Sequence, residues 1–210
     1  WVRPAGERAE LDAAEQKTLL RLAREAIAAQ LENRSFDPLQ SGRFDMTPRL
    51  MTAQGAFVTL TMAGDLRGCI GTIGGFSPLY RTVGEMALKA AFGDPRFEPL
   101  SRRELDRATI EISALLTPDG TVAANPEQPL KDVEQIRIGK DGLTIEMNGR
   151  RGLLLPQVPV EYGWDRATFL SHLCLKAGLP PEAWSRARIQ RFSAQVFGEE
   201  APVAAPGKGS

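Results

Sequence analysis

The chain has 210 residues, 42% of them hydrophobic and 25% charged, which is the balance of one large globular domain or of two small interlocked ones. Lys and Arg number 26, and so do Asp and Glu, so no overall field attracts nucleic acid or an anionic membrane. No apolar run approaches the ~20 residues of a membrane span, and the N-terminus lacks the pattern of a secretion signal. We therefore expect a cytoplasmic protein that binds neither nucleic acid nor membranes.

Apolar periodicity and turn residues predict helices and a hairpin in the first half of the chain. The predicted elements are a helix at residues 11–32, strands at 56–62 and 66–71 joined by a turn at 63–65, and a helix that ends near residue 92. Ser77 followed by Pro78 predicts the cap and first turn of this second helix. Its first N–H groups are expected to face Cys69 and to favour an anion there.

The sequence of the second half of the chain predicts a similar mixture of helices and strands. They are a short helix opened by a capping box at residues 101–104, a strand at 109–116, a hairpin at 143–155, a helix from 165 to 178 and a strand at 189–197. Asn148-Gly149 is the clearest local signal, since this pair favours a type I′ hairpin turn. We expect residues 201–210, which are small and proline-containing, to be a disordered tail.

Cysteine and histidine are too scarce to build most of their usual sites. Cys69 and Cys174 are the only cysteines, and His172 is the only histidine. We therefore expect neither a structural disulfide nor a zinc site, and no phosphate-binding or dinucleotide-binding motif predicts a cofactor. Cys174 is expected in the core, whereas His172 is expected on the solvent side of its helix.

A thiol, a cation and two glycines are concentrated in the hexapeptide Leu66-Arg67-Gly68-Cys69-Ile70-Gly71. A strand centre rarely carries this mixture, because glycine weakens a strand and arginine is seldom buried without a partner. In a functional site, the glycines would let another backbone or a ligand approach the sulfur, and Arg67 would raise its thiolate fraction. The alternative is an inert thiol packed in a tight strand.

Three further places carry polar groups that could join a site. Asp94-Pro95-Arg96-Phe97 puts opposite charges at the ends of a rigid corner, or forms only a helix stop with a surface ion pair. The strand at residues 109–116 displays Glu111 and Ser113 on one face, which turns towards a cleft or towards water. Gln157, held between two prolines, offers an oriented amide to a ligand or to its own loop.

These segments resemble the AMMECR domain family. The hexapeptide at residues 66–71 is the family hallmark, and four further matches follow in order: 94–97, Glu111-Ile112-Ser113, Gly139-Lys140-Asp141-Gly142 and Leu154-Leu155-Pro156-Gln157-Val158. The resemblance implies an α+β fold with an antiparallel sheet flanked by helices. It also implies a single domain at residues 1–200, made of two interlocked subdomains with the hallmark lining a cleft between them.

The same resemblance implies partners but no established reaction. The prokaryotic members resemble protein A of the AmmeMemoRadiSam system, which implies joint action with a Memo-like protein and a radical S-adenosylmethionine enzyme. We favour a binding function, in which Arg67 and Arg96 give charge-assisted hydrogen bonds to a small anionic ligand or a peptide. The candidate ligand-binding residues are Arg67, Gly68, Gly71, Asp94, Arg96 and Gln157.

The alternative is an enzyme that uses Cys69 as its nucleophile. Arg67 would then stabilise the thiolate, Glu111 or Asp94 would act as base or orienter, and Gln157 would position the substrate. The candidate catalytic residues are Cys69 and Glu111. A third interpretation makes the hexapeptide a packing device only, in which case truncating Cys69 would chiefly lower stability.

Overall fold

The computed structural model describes residues 9–200, and the tail predicted at residues 201–210 lies outside the described residues. The helices are α1 (Ala13–Leu31), α2 (Leu79–Phe92), α3 (Arg102–Leu105), α4 (Val158–Glu161) and α5 (Arg166–Lys176). The strands are β1 (Ala56–Met62), β2 (Asp65–Thr72), β3 (Ala108–Leu116), β4 (Gln128–Pro129), β5 (Asp141–Met147), β6 (Arg150–Leu154) and β7 (Arg188–Gly198). Among these described helices, none is both long and apolar enough to cross a membrane.

The strands form one seven-stranded sheet, and the fold is the α+β fold expected from the sequence, with an antiparallel sheet flanked by helices. The order along the sheet is β2-β1-β3-β7-β5-β6, while β4 pairs with β7 outside this path. The described residues divide into two compact units. Unit 1 contains residues 9–114 and 196–200, and unit 2 contains residues 115–195. The interlocking of subdomains and the cleft remain predictions.

The core of unit 1 lies between α1, α2 and one face of the β2-β1-β3 strands. Alternate residues of the strands point into it, so Val58 and Leu60 of β1 are fully buried, as are Ile110 and Ile112 of β3. α1 begins as its sequence predicts, with a capping box between Asp12 and Glu15. This packing leaves the opposite face of the three strands for other side chains.

The start of α2 differs from the prediction. Pro78, and not Ser77, occupies the N-cap position, and no side chain caps the helix. The N–H groups of Leu79 and Tyr80 donate to the carbonyls of Thr52 and Leu50, which lie in the loop before β1. The expectation that these N–H groups face Cys69 is wrong, because they bind the loop before β1, and Ala90 near the C-terminal end of α2 is the residue that lies against Gly68 of the hexapeptide.

The core of unit 2 forms between α5 and the β5-β6 hairpin. Asp165 caps α5 by accepting from the N–H of Thr168, as predicted, and Cys174 is buried on the inner face of the helix. The hairpin turn has positive φ at both Asn148 and Gly149, which confirms the type I′ turn. The prediction missed two short elements in this half, β4 and α4, which are too brief to produce a periodic pattern.

Candidate functional site

Cys69 lies on β2, an edge strand of the sheet, and its main chain is held by side chains from another segment. Its N–H donates to Oδ2 of Asp94 at 2.9 Å, and its carbonyl accepts from Nη2 of Arg96 at 3.3 Å. Both groups therefore point away from β1, although Cys69 lies opposite Thr59 in the β1-β2 ladder. The 94–97 segment thus supplies the hydrogen bonds that a further strand would supply.

Asp94 and Arg96 form a close ion pair at this edge. The guanidinium donates through Nε to Oδ1 at 2.9 Å and through Nη2 to Oδ2 at 2.7 Å. The carboxylate side chain is only 2% exposed. The Arg96 guanidinium, helped by the N–H groups of Cys69 and Arg96, holds the pKa of Asp94 well below its usual range despite burial. The segment follows the end of α2 at Phe92, as one alternative had it, but the carboxylate of the ion pair is buried and does not lie on the surface.

Arg67 occupies a β-bulge of β2. Gly68 pairs with Leu60 and Leu66 with Thr61, so Arg67 is the extra residue of the strand. Its Nε donates to Oε1 of Glu104 at 2.9 Å, and its Nη2 donates to the carbonyl of Glu98 at 2.9 Å. The charge predicted to act on the thiol is therefore paired with a carboxylate of α3.

Glu104 also closes the capping box of α3, where it accepts from the N–H and the hydroxyl of Ser101 at 2.8 Å each. The Arg67 guanidinium, together with these Ser101 donors, lowers the pKa of Glu104 to about 2. The ring of Phe97 lies near both arginines, with its centroid 5.7 Å from Cζ of Arg67 and 5.5 Å from Cζ of Arg96. The two ion pairs are thus linked through one aromatic ring.

The side chain of Cys69 belongs to a row that crosses three strands on the face opposite the α1-α2 core. The hydroxyl of Thr59 donates to Sγ of Cys69 at 3.4 Å. Thr59 in turn lies opposite Glu111 of β3, so the row runs from thiol to hydroxyl to carboxylate. All three side chains are half-buried. Because neighbouring strands are ~4.8 Å apart, the main chains of Cys69 and Glu111 are ~10 Å apart.

The two glycines beside Cys69 have different surroundings. A Cβ on Gly68 would collide with the carbonyl oxygen of Ala90 in α2, and a Cβ on Gly71 would collide with the ring of Phe57. Gly68 thus permits the close approach of another backbone, which was one of the expectations. At Gly71 the space is taken by an aromatic side chain of β1.

The remaining residues singled out in the sequence are Ser113, in unit 1, and Gln157 and His172, in unit 2. Ser113 of β3 is buried, which contradicts the alternative in which it turns towards water. Gln157 belongs to unit 2, where it precedes α4 and its carbonyl accepts from the N–H groups of Val160 and Glu161. His172, also in unit 2, stacks on Trp164 with ring centroids 3.9 Å apart.

Sequence reasoning missed Thr59 and assigned Glu104 only to a helix cap. The register of the first hairpin was the signal that could have found Thr59, since it places this residue opposite Cys69. No comparable signal marks Glu104, which lies 37 residues from Arg67 along the chain. Within residues 9–200, no group of three or more His, Cys, Asp or Glu side chains is arranged to hold a metal ion.

Comparison with known proteins places these residues in a family. The AMMECR1 family model matches residues 20–197. Protein MJ0810 of Methanocaldococcus jannaschii is 49% identical over 153 residues, which cover 71% of this chain and 75% of that protein. Protein MK0488 of Methanopyrus kandleri is 45% identical over 202 residues, which cover 94% of this chain and 93% of that protein.

A solved structure extends the likeness to three dimensions. The crystal structure of Uncharacterized Protein PH0010 from Pyrococcus horikoshii superposes with a TM-score of 0.80 at 36% sequence identity. The match covers 92% of this chain and 95% of that one. The sequence motifs, the fold and these relatives agree, and the chain belongs to the AMMECR1 family.

Proposed function

We propose that this chain is a binding component that acts alongside a Memo-like protein and a radical S-adenosylmethionine enzyme. Its recognition surface is the row of Cys69, Thr59 and Glu111 in unit 1. The identity of the two partner proteins rests on the family resemblance, whereas the choice of recognition surface rests on the geometry of the row. We favour a segment of one of the two partner proteins as the occupant.

The observation that supports this proposal is that the half-exposed polar row stands on a main chain that is held by hydrogen bonds. The main chain of Cys69 is held by the Asp94-Arg96 pair on one side, and on the other side β2 pairs along its length with β1. A surface whose groups are already ordered loses little conformational entropy when it binds. Thiol, hydroxyl and carboxylate stand on consecutive strands, so they match hydrogen-bonding groups spaced along an extended ligand.

The paired charges narrow the chemistry of the ligand. Arg67 and Arg96, the expected anion anchors, are each bound to a carboxylate of this chain. A strongly anionic ligand would therefore also meet Glu104 and Asp94, which weakens its attraction. A carboxylate such as that of Glu111 only accepts hydrogen bonds, so a ligand that meets it needs N–H or O–H donors, such as those of the main chain and amide side chains of a peptide.

The test is a binding titration between the purified chain and each of the two proposed partners from the same organism. Glu111→Gln and Thr59→Val keep the side-chain shape, and each should weaken binding about tenfold, as expected for ~1.4 kcal/mol of lost hydrogen bonding. Arg43→Ala is the control, because Arg43 pairs with Glu25 of α1 on the other side of the sheet. Unchanged affinity in both row variants, or no binding by the parent, would refute the proposal.

The hydrogen bond from Thr59 to Cys69 favours a second candidate function, a nucleophilic thiol. A hydroxyl that donates to sulfur stabilises the thiolate, and Glu111 on the far side of Thr59 could receive a proton through that hydroxyl or a water. The alkylation rate of Cys69 against pH, measured in a Cys174→Ala background, tests this candidate. A midpoint well below ~8.5 supports a nucleophile, whereas an ordinary or higher midpoint excludes it.

A further inference from the structure

The bonds made by Asp94 and Arg96 reproduce, with side chains, the pairing of a neighbouring strand. In an antiparallel ladder, one residue exchanges both its N–H and its carbonyl bonds with a single partner residue. Cys69 makes the same two bonds, but its acceptor is the carboxylate of Asp94 and its donor is the guanidinium of Arg96. We name these two residues the edge clamp.

The conformation of the 94–97 corner explains how two side chains can reach one residue. The N–H of Phe97 donates to the carbonyl of Asp94 at 3.1 Å, which closes a turn around Pro95. The main-chain N–H of Arg96 donates to Oδ1 of Asp94 at 3.1 Å, so the carboxylate is fixed by its own turn. Both members of the edge clamp are therefore held by bonds within their own turn as well as by their bonds to β2.

The edge clamp differs from an exposed ion pair because its carboxylate is buried. The carboxylate of Asp94 is almost fully enclosed, whereas the side chain of Arg96 is 44% exposed. A carboxylate is seldom buried unless its oxygens are satisfied, and here one of its acceptors is reserved for the N–H of Cys69. The desolvation cost of Asp94 is thus offset in part by a bond to a single main-chain group.

We propose that Asp94 and Arg96 are positioning residues, which fix the main chain of Cys69 and thereby the direction of its thiol towards the row. The importance of that direction rests on the proposed function, but the clamping itself does not. The edge clamp acts from the side of the strand and leaves the face with Thr59 and Glu111 to the ligand. Phe97 couples it to Arg67, so the bulge and the thiol are held as one piece.

The test compares amide hydrogen exchange at Cys69 with exchange at Ile70 in the same molecule. The Ile70 N–H belongs to the β1-β2 ladder, so it reports the strand itself. In Asp94→Ala, exchange at Cys69 should rise about 10- to 100-fold relative to Ile70, the range of one hydrogen bond to a charged group. A purely structural role would instead speed exchange at both positions by the same factor, through unfolding of the unit.

Two milder variants keep the test decisive if Asp94→Ala does not fold. Asp94→Asn retains an oxygen for the Cys69 N–H but loses the ion pair, so its effect on Cys69 exchange should be smaller than that of Asp94→Ala. Arg96→Met removes the guanidinium that holds the Asp94 carboxylate in place, so the bond from the Cys69 N–H should weaken and exchange should again rise more at Cys69 than at Ile70. Equal factors at the two positions in both variants would overturn the inference.

The same variants separate this inference from the proposed function. If exchange at Cys69 rises selectively and partner binding weakens, the edge clamp and the recognition surface both stand. If exchange rises selectively while partner binding is unchanged, the positioning role of the main chain stands and the direction of the thiol does not affect binding; the surface itself is tested by Glu111→Gln and Thr59→Val. If exchange does not rise selectively, the positioning role is refuted whatever the binding result.

Discussion

Gly68 is required by its contact with Ala90 of α2, which lies 22 residues further along the chain. The carbonyl oxygen of Ala90 occupies the place of its missing Cβ, and a backbone atom cannot swing aside as a flexible side chain can. Gly68→Ala should therefore lower the free energy of unfolding by about 1–3 kcal/mol, as measured by urea denaturation. Gly198→Ala is the matched control in a strand, since its Cβ would lie at an ordinary 3.4 Å from the nearest atom.

Glu104 makes stability depend on pH in the acid range. Its pKa is about 2 in the folded state, below the ordinary value of 4.5, so the unfolded chain takes up the proton first as pH falls. The stabilisation is fully present above pH 4.5 and is lost between pH 4.5 and 2. Glu104→Gln should be less stable than the parent at neutral pH, and the difference should shrink on acidification.

Urea denaturation at several pH values between 5 and 2 checks this expectation. Arg67→Met removes the main cause of the lowered pKa, so it should flatten the pH dependence in the same way as Glu104→Gln. A difference from the parent that stays constant over the whole range would show that the Arg67-Glu104 pair does not supply this pH dependence.

At the scale of elements, the two hairpins use the same turn with different sequences. Asn148-Gly149 and Ala63-Gly64 both have positive φ at each residue. Alanine is strained there by ~1–2 kcal/mol, whereas asparagine adopts this region readily. Ala63→Asn should raise the free energy of unfolding by about 0.5–1 kcal/mol, and Asn148→Ala should lower it, as thermal or urea unfolding can measure. The strain argument would be contradicted if Ala63→Asn lowered the free energy of unfolding or if Asn148→Ala raised it.

The elements were largely predictable, because their signals are local. α1 and α5 carry their caps and apolar stripes within one segment, and the second hairpin carries its own turn signal. The predicted start of α2 was wrong by one position because carbonyls of the loop before β1, and not a neighbouring side chain, bind its first N–H groups. Sequence pattern contains no information on such partners.

Most residues of the site were predictable, although Thr59 and the role of Glu104 were missed, but the arrangement of the site was not. The hexapeptide and the 94–97 segment stood out by composition, yet the bond between Cys69 and Asp94 spans 25 residues and depends on how unit 1 packs. The bulge at Arg67 turned the expected thiolate partner towards α3. Long-range pairing of this kind decides which charges are available, and a single sequence does not specify it.

At the scale of the whole molecule, β7 is shared by the two units. Phe192 is buried in unit 2, and Phe197 joins the core of unit 1. Immediately after the strand, Glu199 accepts from the N–H of Ile110 at 2.9 Å and from the guanidinium of Arg24 in α1. Arg24 also donates to the carbonyls of Leu105 and Ala108, at 2.8 and 2.7 Å. One ion pair therefore ties the end of β7 to α1, α3 and β3.

Removing this ion pair should weaken unit 1. Glu199→Ala deprives both the Ile110 N–H and the Arg24 guanidinium of their acceptor, and should cost about 1–3 kcal/mol in the free energy of unfolding. Glu200→Ala, one residue further on, is the control. Amide exchange locates the effect: faster exchange should appear at Ile110 and along the last residues of β7, where the lost acceptor acts. A Glu199→Ala variant as stable as Glu200→Ala would show that the end of β7 is held by apolar packing of Phe197 alone.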